Sequence, residues 1–272
     1  MVGNLTRYGL PWVGVAASSN ASAQVAVGRT IETIRLKRGG AMTKAEVSLI
    51  RVKANSKAIY ELSGAQMDAL NAYRGWTVNA AYFDLLFTEH NGMTEADRAA
   101  GALDTSDLLS VTLEATIGAG PVAPTLTTIL KESAPQPRQS PGVKHLVSKV
   151  LRYPFAAAAG GTLPMTLPFG PSAGAPIKRI HINNTGGLMT GITLKEDGAV
   201  IHESLLAEVQ EEQTAWGRVP QANFYTVDFV LDGNMSKAWD PRSARSIEVL
   251  PAFSAADSGF MIVEYLAPWD SL

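Results

Sequence analysis

The chain repeats one order of sequence features after roughly 140 residues, and this duplication constrains its fold more than any single motif. Apolar, turn and strand-like segments at residues 10–36 recur in the same order at 153–182. In each half a helical stretch follows, and then an aromatic strand with one central acid, Asp84 or Asp228. This interval is far longer than the repeat of a solenoid or propeller. The pattern therefore predicts two fused β domains of one type.

Alternation of apolar and polar residues marks most of the strand-like segments. It runs through residues 111–117 and 225–231, and it returns around Ile34, Ile180 and Val263. Such alternation is typical of antiparallel sheets with one face towards water. Each half holds about eight such segments, which is the number of strands in a jelly roll with two Greek keys. The predicted fold is all-β, with two tandem eight-stranded jelly rolls (β-sandwiches) and short helices inserted in each.

Three helices are predicted to interrupt the strands. The first has capping-box spacing at Ser63 and Gln66, followed by an apolar stripe. The second is predicted to open at Ser204 and to bury Trp216 on its apolar stripe. A third, short helix begins at Thr94 and has no clear counterpart in the second half.

A proline-rich segment separates the two halves. Residues 133–142 hold three prolines and no apolar pattern, which indicates a linker. The predicted organisation is a first jelly roll with an N-terminal arm at 1–132, a linker at 133–148 and a second jelly roll at 149–272.

Charge and composition exclude several classes of protein. The net charge of −2 and the pI near 6.1 do not suit a coat for nucleic acid, which needs a face rich in lysine and arginine. The 272 residues include no cysteine, so disulfides and thiolate metal sites are excluded. No apolar run is long enough to span a bilayer. We expect an ordered protein that makes no sequence-specific contact with nucleic acid.

The candidate catalytic residues do not support an enzyme. Two acids can do glycosidase chemistry, but Asp84 and Asp228 occupy equivalent positions in separate halves and are expected to lie far apart. Alternation places both acids, and His181, on the outward face of their strands. The four histidines lack the spacing of a zinc site, and the sequence has neither a G-x-S-x-G turn nor a phosphate-binding loop. No catalytic residue is expected.

Acidic side chains gather in the longest loop of the first half, at Glu89, Glu95, Asp97, Asp104 and Asp107. Their oxygens could bind calcium, a hard cation that takes several oxygen ligands. The loop lacks the D-x-D-x-D-G pattern of a calcium-binding hand, and solvated acids are the alternative. The candidate metal ligands are Glu95, Asp97, Asp104 and Asp107. Apart from structural calcium, no cofactor is expected.

Tryptophans outside the strands are candidates for contacts between subunits. Trp239 and Trp269 fall in a loop and a tail, where aromatic side chains often anchor interfaces. Trp12 and Arg7 lie in an irregular, largely apolar opening segment that could reach neighbouring subunits or a membrane. Packing on the residue's own domain is the alternative for each.

Five segments carry a resemblance that covers nearly the whole chain: V-A-V-G-R-T-I-E-T-I-R-L at 25–36, V-S-L-I-R-V-K-A at 47–54, I-K-R-I-H-I at 177–182, N-F-Y-T-V-D-F-V-L-D-G-N at 223–234 and F-M-I-V-E-Y-L-A-P-W at 260–269. In their order and spacing they resemble the major capsid proteins of corticoviruses, which are tailless icosahedral phages with an internal membrane. More broadly, they resemble the double jelly-roll capsid lineage. The linker and the loop at 88–108 depart from the family pattern.

The resemblance implies a structural protein without enzymatic activity. It implies homotrimers with a hexagonal outline that contact neighbouring capsomers, penton proteins and internal-membrane proteins, with lipid near the inner face. The protein would be made in the bacterial host cytoplasm and located in the virion shell. The alternative function is a carbohydrate-binding jelly-roll module or phage spike protein, since jelly rolls also serve as lectin scaffolds. A two-domain β-hydrolase is disfavoured because the acid–base residues are missing.

Overall fold

A computed structural model of the chain describes residues 5–136 and 145–271. Backbone contacts divide them into two compact units. The first unit holds residues 5–72, 76–136, 145–151 and 267–270, and the second holds residues 73–75, 152–266 and 271. Residues 137–144 of the predicted linker and residues 1–4 of the predicted arm lie outside the described part.

The first unit is built from two antiparallel sheets. Its strands are β1 (Leu5–Tyr8), β2 (Asn20–Val25), β3 (Thr30–Gly39), β4 (Val47–Ala54), β5 (Lys57–Leu62), β6 (Tyr82–Leu86), β7 (Leu103–Asp104), β8 (Val111–Ile117) and β9 (Thr125–Ser133). One sheet has the order β1-β9-β3-β6, with β7 also paired to β3, and the other has the order β2-β8-β4-β5. Most neighbours in these sheets are distant in sequence, as in a jelly roll.

The second unit repeats this arrangement. Its strands are β10 (Leu146–Ala157), which begins in the first unit, β11 (Gly161–Thr162), β12 (Ile177–Asn184), β13 (Met189–Glu196), β14 (Ala199–Leu205), β15 (Phe224–Asp228), β16 (Ile247–Phe253) and β17 (Asp257–Pro268). One sheet has the order β10-β17-β12-β15 and the other has the order β11-β16-β13-β14. Each position matches one strand of the first unit. The predicted fold of two tandem jelly rolls is therefore confirmed.

Alternating burial along the strands forms the core. Strand β8 is buried at every second residue, from Val111 to Ile117, and its threonines and glutamate are half-exposed. The apolar side chains of Ile34 in the first unit and of Ile180 in the second are completely buried. Burial of apolar area is the main driving force for such a fold.

In the part of the chain that the structure describes, four α-helices connect the strands: α1 (Gly64–Tyr73), α2 (Glu95–Ala99), α3 (Gly170–Ala173) and α4 (Leu206–Ala215). Two short 3-10 helices lie at Met235–Lys237 and Pro241–Ser243. The predicted capping box of α1 is present, since Ser63 Oγ accepts from the Gln66 amide and Gln66 Oε1 accepts from the Ser63 amide. The predicted short helix is α2, which Thr94 caps. Among the described residues, none of the helices has the length and apolar character needed to cross a bilayer.

The start predicted for the second helix is wrong. Ser204 lies in β14, where its hydroxyl bonds to His202 and Tyr225. Helix α4 begins two residues later, and the Glu208 carboxylate accepts from the Leu205 amide at 3.0 Å. The strand persists because Ser204 pairs with Ile192 of β13.

Candidate functional site

An arginine–aspartate pair occupies the same place in the β1-β9-β3-β6 sheet and in the β10-β17-β12-β15 sheet. Arg35 lies opposite Asp84 in the β3–β6 register, with Nε 2.5 Å from Oδ1. Arg179 lies opposite Asp228 in the β12–β15 register, with Nε 2.9 Å from Oδ2. The two arginines are 144 positions apart in the sequence, and so are the two aspartates. The duplication seen in the sequence therefore extends to individual side-chain pairs.

The helix before each aspartate ends in the same way. Helices α1 and α4 each have ten residues, and each is followed by one residue and then by a glycine with positive φ. The glycines are Gly75 at +76° and Gly217 at +74°, a conformation that ends many helices and favours glycine. The residues just before them, Arg74 and Trp216, are thus structurally equivalent.

The residues just after these glycines are equivalent as well. Trp76 Nε1 donates to Asp84 Oδ2 at 3.1 Å, and Arg218 Nε lies 3.6 Å from Asp228 Oδ2. Each aspartate is therefore held by an arginine from the neighbouring strand and by a residue from the end of the helix. Before the glycine stands Arg74 in one copy and Trp216 in the other. After the glycine the order is reversed, with Trp76 in the first copy and Arg218 in the second.

On the outer face of its sheet, the second unit buries an ionic group that we call the Glu264 cluster, formed by Arg74, Lys178, Arg179, His181 and Glu264. Glu264 Oε2 lies 3.2 Å from Arg179 Nη1 and 3.7 Å from Lys178 Nζ, and it also accepts from Arg74. His181 Nε2 lies 2.8 Å from Glu264 Oε1. All five side chains are at most 1% exposed. Burial is the largest single influence and opposes ionisation, but the charges of Arg74, Arg179 and Lys178 and the hydrogen bond from His181 together outweigh it and keep the pKa of Glu264 well below its usual range.

His181 is neutral in this environment. Burial lowers the pKa of its imidazole, although the adjacent Glu264 carboxylate acts in the opposite direction. Nδ1 lies 2.8 Å from Thr226 Oγ1, so Nε2–H donates to the carboxylate and the threonine hydroxyl donates to Nδ1. Nearby, the Tyr73 hydroxyl donates to Asp228 Oδ2 at 3.0 Å.

Asp84, Asp228 and His181 lie on the outward face of their strands as predicted, but the exposure to water expected for that face is wrong. Their side chains are 4%, 1% and 0% exposed. Alternation correctly separates these polar residues from the apolar core, but it cannot show whether a further element covers the polar face. In the second unit Tyr73 and Arg74 lie over that face, and in the first unit Arg35 and Trp76 enclose Asp84.

The first unit leaves an open cleft of about 720 Å³ on the outer face of its β1-β9-β3-β6 sheet, and we call it the first-unit cleft. Its floor includes Arg35 and Ile129, and its wall includes Trp76 and part of α2. Ile129 faces Arg35 in the register, as Glu264 faces Arg179 in the second unit. The Arg35 side chain is 39% exposed, whereas that of Arg179 is fully buried. This position is thus apolar and open in one unit, and charged and covered in the other.

The two candidate residues of the N-terminal arm contact their own unit. Arg7 makes a bidentate pair with Glu132, at 2.7 and 2.8 Å. Trp12 is half-buried, and its Nε1 donates to Thr128 Oγ1 at 2.8 Å. Strand β1, which contains Arg7, pairs with the edge of β9. That the exposed sides of Arg7 and Trp12 contact other subunits stays a prediction.

The other two candidate tryptophans belong to the later part of the chain. Trp239 is half-buried, its Nε1 donates to Glu196 Oε2 at 2.7 Å, and its ring lies 5.4 Å from that of Phe229. Trp269 follows β17 and is also half-buried. Their roles between subunits stay predictions, and the contacts of Trp239 give it a part in folding as well.

The structure does not bring the calcium candidates together. Asp97 belongs to the capping box of α2, and the buried Asp104 accepts from the amide and hydroxyl of Ser106. Glu95 lines the first-unit cleft, and Asp107 is exposed. Within residues 5–136 and 145–271, no three histidine or acidic side chains are grouped in a way that could hold a metal ion. Calcium binding by these residues stays a prediction.

The Glu264 cluster and the exposure of Trp216 are the two features of the site that differ from the sequence-based expectations. A glutamate inside the apolar run 260–267, and consecutive Lys178 and Arg179 inside a strand, are the signals that indicate a buried ionic group. Trp216 was predicted to be core, but it caps the end of α4 and is 56% exposed. The helix instead buries Val209 and Gln213.

The two equivalent units define a double jelly-roll protein. The crystal structure of the major capsid protein P2 from bacteriophage PM2 is similar, with a TM-score of 0.87, 17% identity and 98% of each chain covered. The major capsid protein of Sulfolobus turreted icosahedral virus has a TM-score of 0.71, with 15% identity over 98% of this chain and 97% of that one. The PBCV-1 virus capsid model has a TM-score of 0.64, with 11% identity over 97% and 93%. A search of curated protein sequences finds no significant match.

Sequence models of one family match both units. The viral coat protein P2 N-terminal domain matches residues 7–134, and the viral coat protein P2 C-terminal domain matches residues 147–269. The chain belongs to the viral coat protein P2 family. It is therefore a structural capsid protein, and the expectation that it is not an enzyme agrees with this membership.

Proposed function

We propose that this coat protein assembles as homotrimers with a hexagonal outline, which tile the shell of an icosahedral phage around an internal membrane. The observation that carries the proposal is the equivalence of the two jelly rolls, down to the pairs Arg35–Asp84 and Arg179–Asp228. Three copies supply six similar jelly rolls, so a threefold object can fill a sixfold position. Closed rotational symmetry is the usual outcome for homo-oligomers.

The proposal includes further partners in the virion. Neighbouring trimers would meet along the sides of the jelly rolls, and penton and internal-membrane proteins would contact the trimers where the lattice changes. The opening arm, with Arg7 and Trp12, is a candidate for the inner face near lipid. The protein would be made in the bacterial host cytoplasm before assembly. Its net charge of −2 supports contacts with protein more than with nucleic acid.

Carbohydrate binding is the less supported function. A lectin needs an aromatic ring that offers its flat face to a sugar. In the first-unit cleft, Trp76 is tied to Asp84 through its Nε1 and packs edge-on against His90, with ring centres 5.3 Å apart. These contacts hold the ring against its own unit, and they favour a role in packing.

The oligomeric mass tests the proposal. We expect native mass spectrometry to give a mass three times the 28.9 kDa of one chain, and negative-stain images to show hexagonal outlines with threefold symmetry. A single chain at every concentration, without rings, would contradict the trimer. Glycan-array binding by such monomers would favour the carbohydrate-binding module instead.

A further inference from the structure

We propose that Trp216 of one copy occupies the first-unit cleft of the next copy, against Ile129. This inference rests on the proposed trimer and names the contact that would close it. The contact joins the end of helix α4 to the outer face of the β1-β9-β3-β6 sheet. Neither residue belongs to the interface candidates that the sequence suggests.

The second unit supplies the template for this contact. The outer face of its β10-β17-β12-β15 sheet is covered by Tyr73 and Arg74, the residues that end helix α1. The structural equivalents of these residues, at the end of helix α4, are Ala215 and Trp216, and both are exposed. The equivalent sheet face in the first unit is the open first-unit cleft. One helix end is therefore uncovered, and one matching sheet face is open.

The chemistry of the two positions changes together. In the second unit, charged Arg74 meets charged Glu264. At the equivalent positions stand Trp216 and Ile129, which are both apolar. A tryptophan packed on Ile129 buries apolar area. An arginine at the position of Trp216 would instead place a cation on Ile129 without a partner. The substitution of both members of the pair suits a contact between Trp216 and Ile129.

The size and borders of the cleft suit an indole. The first-unit cleft has a volume of about 720 Å³, which exceeds the space that one tryptophan side chain needs and leaves room for the adjoining end of α4. Arg35 lies on the floor, where its guanidinium already packs on the Tyr82 ring, 5.0 Å from the ring centre, and the exposed part of its side chain could contact a second aromatic ring. Glu32 and Lys131 form part of the border and pair at 3.3 Å. The lining thus combines apolar side chains, such as Ile129 and Leu86, with charged and polar ones, and protein interfaces also place aromatic anchors beside polar groups.

The contact is heterologous, because it joins different surfaces of two copies. Repeating it around a threefold axis produces a closed ring in which every Trp216 and every cleft is used once. A large exposed aromatic residue at such a position has the properties of a hot spot.

Replacing the apolar pair Trp216 and Ile129 by a charged pair tests their contact. We expect Trp216→Ala, Trp216→Arg and Ile129→Glu each to weaken trimer association at least about tenfold, the effect of losing one hot-spot residue. The double variant Ile129→Glu with Trp216→Arg recreates the Arg74–Glu264 pair between copies and is expected to recover much of the association. Leu109→Ala, at a side chain that is 90% exposed, is the control that removes surface apolar area elsewhere. Sedimentation velocity over a dilution series gives the association, and circular dichroism checks that each variant folds.

Cysteine cross-linking gives an independent result, because the natural chain has no cysteine. Chains carrying only Trp216→Cys are mixed with chains carrying only Ile129→Cys, and the mixture is treated with a short bis-maleimide, because an indole packed on an isoleucine keeps the two Cα atoms farther apart than the ~7 Å that a disulfide can bridge. We expect a cross-linked dimer in the mixture and much less in either variant alone.

The possible failures are distinguishable. If Trp216→Ala forms trimers as readily as the wild type, and the mixture gives no cross-link, this inference is overturned and the proposed trimer stands. A wild-type chain that stays monomeric would overturn both. Loss of association in the single variants without recovery in the double variant, and without a cross-link, would also contradict a direct contact.

Discussion

The outer sheet faces of the two units differ mainly in what covers them. Both carry an arginine–aspartate pair in the same register, but the second unit surrounds its pair with the Glu264 cluster, whereas the first unit leaves Arg35 at an open cleft. The strands and helix ends of the duplicated fold are retained, and the residues at Arg74/Trp216 and Glu264/Ile129 have changed. Duplication thus provides one scaffold, and a few side chains decide whether a face is closed within a unit or is available to a partner.

The largest expected effect comes from breaking the Glu264 cluster. Glu264→Ala leaves Arg74, Lys178 and Arg179 buried without their shared carboxylate. Removing one partner of a buried ionic group costs about 3–5 kcal/mol, because the remaining charges are not solvated. Urea unfolding should therefore show a fall of this size in the free energy of unfolding. A loss below about 1 kcal/mol would mean that water reaches the cluster.

A smaller difference is expected between the two aspartates. Asp228→Asn weakens a fully buried pair, whereas Asp84→Asn weakens a pair whose arginine is 39% exposed. Water solvates the Arg35 guanidinium when its partner is lost, whereas Arg179 stays fully buried, so Asp228→Asn should cost more than Asp84→Asn. The free energy of unfolding of both variants decides this. Equal losses would contradict the difference in burial between the two faces.

Acid should destabilise the protein through the second unit. Unfolded His181 takes up a proton below its ordinary pKa of 6.5, while folded His181, with its lowered pKa, stays neutral. Unfolded Glu264 takes up a proton near 4.5, while the folded carboxylate stays ionised well below that pH. In both cases protons favour the unfolded chain, so the free energy of unfolding should fall as the pH drops below about 6.5, and again below about 4.5.

Glu264→Gln is the control for this pH dependence. It keeps the shape of the side chain and removes the titrating carboxylate, so the loss of stability below about pH 4.5 should shrink, while the loss due to His181 should persist. Urea unfolding between pH 7 and pH 4 measures both. Identical pH profiles for the wild type and Glu264→Gln would contradict the assignment.

Calcium gives the smallest expected effect. Asp97 and Asp104 already accept hydrogen bonds within their own loop, and the four candidate acids do not share one site. The midpoint of thermal unfolding should therefore differ by less than about 2 °C between calcium and a chelator, because a ligand stabilises only by binding the folded state. A rise of several degrees that Asp104→Asn abolishes would establish the predicted calcium site.

Local patterns in the sequence predict the framework well. The alternation at 111–117, the capping box at Ser63 and the short helix after Thr94 are all present, because each depends on neighbours within a few residues. The duplication predicts two equivalent jelly rolls even though few residues are identical. These features follow from strand and helix periodicity.

Which residues bury the outer faces of the sheets could not be predicted from local patterns. Polar residues such as His181 and Asp228 have the spacing of a solvent-exposed face, and only the fold shows that Tyr73 and Arg74 lie on them. Trp216 has the spacing of a core residue on a helix, but the helix ends before it and leaves it exposed. Burial that depends on residues far apart in sequence leaves no local pattern.

The most direct test is a cryo-electron-microscopy reconstruction of the purified assembly at side-chain resolution. We predict a threefold ring of three chains in which the end of helix α4 from one chain fills the first-unit cleft of the next, with the Trp216 indole on Ile129. A ring in which that cleft stays open to solvent, or holds a different segment, would contradict the account.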